Sequence, residues 1–198
     1  MVLKIKSTAK LIIMLIIILG AVMLLKASYK SFINNAYPIK FEDKVLKYSK
    51  EFEVEPELVF SVIRTESHFN KFANSYANAK GLMQLTPETF EWLQTKISED
   101  NEYTEDDLYD EDINIKYGTK FLQILVEEFE DYETVACAYH AGRGNVNDWL
   151  NDEKLNAGNN KLVSIPINET KVYAGRVLDT IKIYKSILKE KEILNEYK

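Results

Sequence analysis

The chain has 198 residues, enough for one ordinary domain with a short appendage, and a formal net charge of −6. Its single cysteine, Cys137, excludes an intramolecular disulfide, and its two histidines, His68 and His140, are too few for a histidine-rich metal site. Four of the 25 basic residues (Lys4, Lys6, Lys10 and Lys26) precede residue 27 while all 31 acidic residues follow it, which leaves that part at −10 and argues against a nucleic-acid partner.

Lys4, Lys6 and Lys10 lead into an unbroken apolar run from Leu11 to Leu25, closed by Lys26. As a helix the run reaches only about 22 Å against a hydrocarbon core of roughly 30 Å. Counted from Ser7, with Lys10 snorkelling toward the headgroups, it is long enough to span. A cleaved signal peptide shares the basic start and the apolar core. Lys26 follows the core directly and Ala27 is a poor cleavage position, which favours an uncleaved signal anchor. The expected organisation is a short basic cytoplasmic tail at 1–10, a transmembrane anchor at 11–27, a stalk at 28–40 and a compact body at 41–190. The lysines before the span outnumber Lys26 and Lys30 after it, so the body is expected on the extracytoplasmic side of the cell membrane.

The body reads as consecutive helices after the break at Asn34-Asn35-Ala36-Tyr37-Pro38. Phe41, Val45, Leu46 and Tyr48 give helical spacing over Phe41–Glu51, and Pro56 opens a second helix that ends near Glu66. Residues 69–80, with Asn70, Asn74 and Asn78, have no sustained period and read as loop. Thr86-Pro87-Glu88 places cap, proline and acid where a helix begins, followed by Phe90, Leu93 and Ile97 on one side. Residues 99–112 are acid-rich and lack the glycine of a calcium loop, so a solvated loop leading into the next helix is expected. Ile113, Tyr117, Phe121, Leu122, Leu125 and Phe129 mark the core side of a longer helix. Tyr132–His140 is short and mostly apolar, with Cys137 a buried thiol, and Thr170–Leu188 repeats Tyr173, Val177, Ile181, Tyr184 and Leu188 by fours and threes. With no strand alternation, the fold class is all-α.

Glu66 stands out against this pattern. Ile63, Val62 and Val59 precede it at i−3, i−4 and i−7, which places its carboxylate on an apolar stripe. Burial there would raise its pKa, and an acid protonated near neutral pH is what acetal cleavage needs at the leaving oxygen. The stripe is equally compatible with a glutamate at the helix edge that turns to water.

Three clusters follow downstream. In Gly81-Leu82-Met83-Gln84-Leu85 the glycine permits close backbone approach, Met83 offers a soft apolar wall and Gln84 supplies donor and acceptor together, a mixture suited to an acetamido sugar. In Ala138-Tyr139-His140-Ala141-Gly142-Arg143-Gly144-Asn145, Tyr139 is placed to hydrogen-bond a carboxyl group or a sugar. In Glu169-Thr170-Lys171-Val172-Tyr173 an acid and a tyrosine share one helix face. Singly each is weak, since a Gly-Leu-Met-Gln string is usually a turn and a tyrosine in a core helix is usually packing.

In this order the motifs Glu-Ser, Gly-Leu-Met-Gln, Ala-Tyr-x-Ala-Gly and Glu-Thr-x-x-Tyr resemble the lytic transglycosylase domain of the soluble-lytic-transglycosylase type, a branch of the goose-lysozyme-like superfamily (glycoside hydrolase family 23). The resemblance covers about residues 41–188 and implies a lysozyme-like α-helical fold acting on peptidoglycan, at the β-1,4 link from N-acetylmuramic acid to N-acetylglucosamine. It implies Glu66 as the single catalytic acid and base, with Ser67 helping to fix the site. Met83 and Gln84 would line the glycan groove, Tyr139 would hold the catalytic carboxyl group, and Glu169 and Tyr173 would border the groove from the closing helix. His140 stands where the family usually has Asn, beside the groove and counted with its substrate contacts. Arg143 stands where the family usually has Pro. The resemblance implies neither metal nor cofactor, a monomer, and a 1,6-anhydromuramic product formed without water. Two other readings stay open: a hydrolytic muramidase in which a distant carboxylate such as Glu169 activates water, and a glycan-binding module without turnover.

Overall fold

The computed structural model of the protein describes residues 2–97, 103–129, 131–156 and 158–191, with side chains from residue 8 onward. Its helices are α1 (Val2–Ala36), α2 (Glu42–Glu51), α3 (Pro56–Glu66), α4 (Pro87–Gln94), α5 (Glu111–Glu128), α6 (Tyr132–Ala141), α7 (Arg143–Leu150) and α8 (Asn168–Glu190). A 3-10 turn spans Glu105–Tyr109. Among the described residues no strand forms, and the only extended pairing is in isolated bridges such as Lys80 with Leu85.

The chain divides into two units, Met1–Ile39 and Lys40–Lys198. In the first, the segment Thr8–Ala36 is long and apolar enough to cross a membrane. The helix does not stop with the apolar run at Leu25 but continues through the predicted stalk to Ala36. Residues 26–36 contain neither glycine nor proline, and Pro38 supplies the stop.

In the second unit, α8 packs against both α3 and α6, while α5 packs against α2, α4 and α6. The first set is built on apolar stripes: Val59, Val62 and Ile63 of α3 are fully buried, as are Ala174 and Val177 of α8. Each of the valines and the isoleucine contributes about 1.5–3 kcal/mol by leaving water. Stacked rings of Phe60 and Tyr184 join α3 to α8, with centroids 5.3 Å apart. Phe90 of α4 meets Tyr117 of α5 edge-on at 4.8 Å. Pro56 and Pro87 sit at helix starts, and Thr86 Oγ1 accepts from Thr89 N at 3.2 Å to cap α4.

Three local features depart from the sequence reading. The acid-rich stretch is not entirely loop, since Thr104 and Asp107 form a reciprocal cap for the 3-10 turn at Glu105–Tyr109; its residues 99–102 lie outside the described residues. A separate helix, α7, follows Gly142, whose φ of +93° breaks the chain direction at the end of α6. On α5 the buried stripe takes in Ile115 and the polar Asn114, while Ile113 is half-exposed.

Candidate active site

Glu66 ends α3, one turn beyond the buried Val62 and Ile63, and remains partly open to solvent. Burial pushes its carboxyl up to about 7, against the opposing effect of a hydrogen bond from Tyr173. That bond runs from Tyr173 Oη to Glu66 Oε1 at 2.6 Å. Tyr173 is buried on α8, and because α8 packs along α3 its ring is carried onto the end of α3.

The hydrogen bond to the carboxyl group thus comes from Tyr173, whereas the resemblance gave that role to Tyr139. Tyr139 projects from α6 toward the turn after the loop, and its hydroxyl donates to the Met83 carbonyl at 2.7 Å. Burial, with the nearby Glu66 charge second, pushes both phenols well above their ordinary range, so both stay protonated donors. The two tyrosines divide the work: one binds the acid, the other binds the turn that faces it.

That turn is tied down from below. Ser67 Oγ, at the end of α3, lies 2.7 Å from the Leu82 carbonyl and 3.2 Å from the Ile63 carbonyl, joining the turn to the helix that carries Glu66. The buried Asn114 of α5 accepts from Met83 N at 2.8 Å and donates to the carbonyls of Lys80 and Leu108 at 3.0 and 2.8 Å. Gly81 has a φ of +80°, and a Cβ there would stand 2.2 Å from both the Asn114 amide and the Leu108 carbonyl, so only glycine fits.

Met83 itself is fully buried, its sulfur packed so tightly on Gly118 that a Cβ at that position would lie 2.3 Å away. Its side chain is thus part of the floor and not an exposed wall of the groove; what it presents at the site is backbone. Gln84 is half-buried with a φ of +50°. Its Nε2 donates to the carbonyls of Ala73 and Gly81 at 3.1 and 3.0 Å, which leaves the amide oxygen as its outward-acting group.

His140 and Glu169 are both exposed. The His140 ring lies on the Tyr173 ring, 4.5 Å between centroids at 30°, with Nδ1 3.2 Å from the hydroxyl of the buried Thr170. Burial holds His140 below its ordinary pKa, and the charge of Glu169 opposes that shift. Glu169 is exposed in the first turn of α8, so i,i+4 spacing puts it on the same face as Tyr173 but at the solvent end. Asn114 escaped the sequence reading, although a polar residue between Ile113 and Ile115 was a signal for it; Thr170 was read only as part of the Glu-Thr-x-x-Tyr motif, with no role of its own.

Elsewhere, Lys80 gathers the acid-rich segment, its Nζ 3.3 Å from Glu105 and 3.1 Å from Asp106. Among the described residues no group of three or more His, Cys, Asp or Glu side chains is placed to hold a metal ion. Burial pushes the Cys137 thiol up to about 12, which makes it inert as a nucleophile.

Residues 43–162 match the transglycosylase SLT domain. The chain is similar to the soluble lytic murein transglycosylase of Salmonella typhimurium, at 29% identity over 163 residues that cover 80% of this chain and 25% of that protein. It is also similar to the membrane-bound lytic murein transglycosylase C of Actinobacillus pleuropneumoniae, at 34% identity over 57% of this chain and 33% of that protein. Its fold matches the crystal structure of the 70 kDa soluble lytic transglycosylase from Escherichia coli with a TM-score of 0.71 and 27% identity, over 79% of this chain and 26% of the other. The chain thus spans about a quarter of the length of the soluble relatives it matches.

Proposed function

The chain belongs to the transglycosylase SLT domain family, and on that premise we propose that it is a peptidoglycan lytic transglycosylase with Glu66 as its one catalytic carboxyl group. The observation that carries this reading is an acid poised at about 7, partly open to solvent and held by a hydrogen bond from Tyr173. A group with that pKa is available in both protonation states at neutral pH, which suits an acid that must then act as a base.

In the proposed cycle, protonated Glu66 gives its proton to the oxygen linking N-acetylmuramic acid to N-acetylglucosamine, and the C1–O4 bond breaks with its electron pair on the departing oxygen. The muramic acetamido oxygen shares the positive charge left at C1. The Glu66 carboxylate then takes the proton from the muramic C6 hydroxyl, whose oxygen bonds to C1 and closes the 1,6-anhydro ring. Glu66 ends protonated as it began. The Tyr173 hydrogen bond stabilises the carboxylate stage and fixes the plane of the group throughout.

The remaining residues support this in assigned roles. Gln84 offers its amide oxygen to an acetamido N–H, and Ser67 and the Met83 backbone hold the floor. His140 and Glu169 border the groove. With Thr8–Ala36 in the cell membrane, the body works on the extracytoplasmic side against glycan strands, as a monomer and without a cofactor.

The test is release of 1,6-anhydromuropeptides from purified sacculi by the full-length protein and by Glu66→Gln. The variant should bind sacculi but release none; persistent release would remove Glu66 from its role. Mass spectrometry separates the anhydro product from the hydrolytic one, heavier by one water, that a muramidase with Glu169 as base would give.

A further inference from the structure

Lys80 is a cation in an unusual place. Its side chain is only 6% exposed, although lysine is among the residues least often buried. It lies at the centre of a small backbone stack, bridged to Asn74 on one side and to Leu85 on the other. With Leu85 it exchanges two hydrogen bonds, at 2.9 and 3.2 Å, which close the turn over residues 81–84. Gln84 ends that turn with a φ of +50°, a conformation few residues other than glycine take, and its Nε2 donates to the carbonyls of Ala73 and Gly81. A shift of Lys80 therefore moves both neighbours of Gln84: the Ala73 segment that receives its amide and the Leu85 that follows it.

The other end of Lys80 reaches the acid-rich segment. Its Nζ meets Glu105 Oε1 at 3.3 Å and Asp106 Oδ1 at 3.1 Å, and stands 5.5 Å from the centre of the Tyr109 ring. Glu105 accepts from Asn78 Nδ2 at 3.1 Å with its second oxygen, and Glu111 accepts from Lys71 Nζ at 2.8 Å, so the loop is fastened at three points. The support itself is fixed. Leu108 is fully buried, Thr104 and Asp107 cap the 3-10 turn, and Asp110 caps α5. The charges depend on one another unequally. A lysine this shielded needs its carboxylates, because an unpaired buried charge is costly. The Glu105 and Asp106 side chains, 48% and 84% exposed, do not need the lysine.

We propose that Lys80 is a positioning residue for substrate binding, its ion pairs with Glu105 and Asp106 holding the turn that presents the Gln84 amide oxygen to an acetamido group. The acid-rich segment thereby gains a role as a fixed counter-charge for this lysine. The inference rests on the peptidoglycan reading for its ligand and deepens that reading at Gln84. The hydrogen bond between Glu66 and Tyr173 is made between α3 and α8, outside this stack, so the chemical step keeps its acid when the lysine is removed.

The experiment uses full-length protein in detergent. Lys80→Met keeps the aliphatic stem and loses the charge, Lys80→Arg keeps the charge, and Lys182→Met removes an equal charge from an exposed pair with Asp179 on α8. Lys80→Met should raise KM for anhydro product release about fivefold with kcat within about twofold, the signature of binding lost equally from ground and transition states. Lys80→Arg should recover most of that loss, and Lys182→Met should match wild type. A fall in kcat with KM unmoved, an equal rise in Lys182→Met, or no change would each overturn the proposal. Replacing Glu105 and Asp106 together by alanine strands the lysine, so that variant should melt below Lys80→Met, and adding Lys80→Met to it should restore the melting temperature. Failure to restore it would mean that the ion pairs do not seat the lysine. Two readouts need no turnover. Hydrogen exchange followed by mass spectrometry should quicken about fivefold over residues 73–85 in Lys80→Met while α3 and α8 keep their rates, and equal quickening everywhere would make Lys80 a general stabiliser instead. Calorimetric binding of tri-N-acetylchitotriose, an oligosaccharide of acetamido sugars, should weaken about fivefold in the same variant, and unchanged binding would overturn the role at Gln84. Both decide the proposal even if wild-type protein releases no anhydro product, an outcome that would sink the catalytic reading alone.

Discussion

Tyr173 and Glu66, 107 residues apart in sequence, meet in a hydrogen bond of 2.6 Å between the phenol and the carboxyl group. Two opposing effects act on the acid at this point. Burial disfavours its charge, the phenol's hydrogen bond favours it, and burial is the larger, leaving the group at about 7.

Removing the phenol leaves burial unopposed. Tyr173→Phe should therefore move the Glu66 pKa above 7, and the limb of the pH–rate profile that reports ionisation of this acid should shift to higher pH. The rate at neutral pH should fall about tenfold as well, since the carboxyl plane loses its fixed donor. The measurement is kcat/KM for anhydromuropeptide release between pH 5 and 9. An unmoved limb would mean that the hydrogen bond does not act on the working carboxyl group.

The same acid makes a prediction about folding. Its native pKa of about 7 lies above the ordinary 4.5, so between those values the native state holds a proton that the unfolded chain has released. Glu66 thus costs nothing below about pH 4.5, becomes increasingly destabilising as pH rises to about 7, and is constant in effect above that. Its full cost is about 3.5 kcal/mol as an upper bound, from roughly 1.4 kcal/mol per unit. Glu66→Gln should then be more stable than wild type in urea at pH 8, and the gain should vanish at pH 4.5. A gain that does not depend on pH would point to packing instead.

His140 is predicted to matter through the ring beneath it. It lies on the Tyr173 ring at 4.5 Å and reaches Thr170 at 3.2 Å, one helical turn before Tyr173. Burial keeps it below its ordinary pKa, so it is neutral at pH 7, although Glu169 pulls the other way. His140→Ala should lower kcat about threefold to tenfold with little change in KM, because Tyr173 loses a restraint. His140→Phe, which restores a ring without the Nδ1 contact, should recover part of that loss. A rise in KM with kcat intact would instead make His140 a substrate contact.

How far the site could be read from sequence depended on range. The stripe under Glu66 is local, at i−3, i−4 and i−7, and Val59, Val62 and Ile63 are all buried in the structure. The starts of α3 and α4 were equally local, announced by Pro56 and by Thr86-Pro87. The partner of Glu66 was not. Tyr139 and Tyr173 are both tyrosines on apolar helix faces, and only the packing of α8 on α3 decides which reaches the acid. Met83 shows the reverse limit: its type suited a groove wall, but the hole above Gly118 takes its side chain inward. The helix α7 left no periodic signal because it is short and follows a glycine in an unusual conformation.

Asn114 ties these local and distant features together, and it gives the most direct stability test. It is fully buried on α5 and makes three hydrogen bonds to backbone, to Met83 N and to the carbonyls of Lys80 and Leu108. It thereby holds the turn that carries Gln84 and receives Tyr139 at Lys80 and Met83 and ties it to Leu108. Asn114→Ala would leave those three backbone groups buried without that partner, at about 1–3 kcal/mol for each that water cannot reach. A net loss of about 3 kcal/mol is expected, which lowers the melting temperature by about 10 °C for a body of this size. Anhydro product release at 25 °C should fall more steeply than the folded fraction, because the turn loosens before the helices part. Activity that simply tracks the folded fraction would show the turn to be held without Asn114.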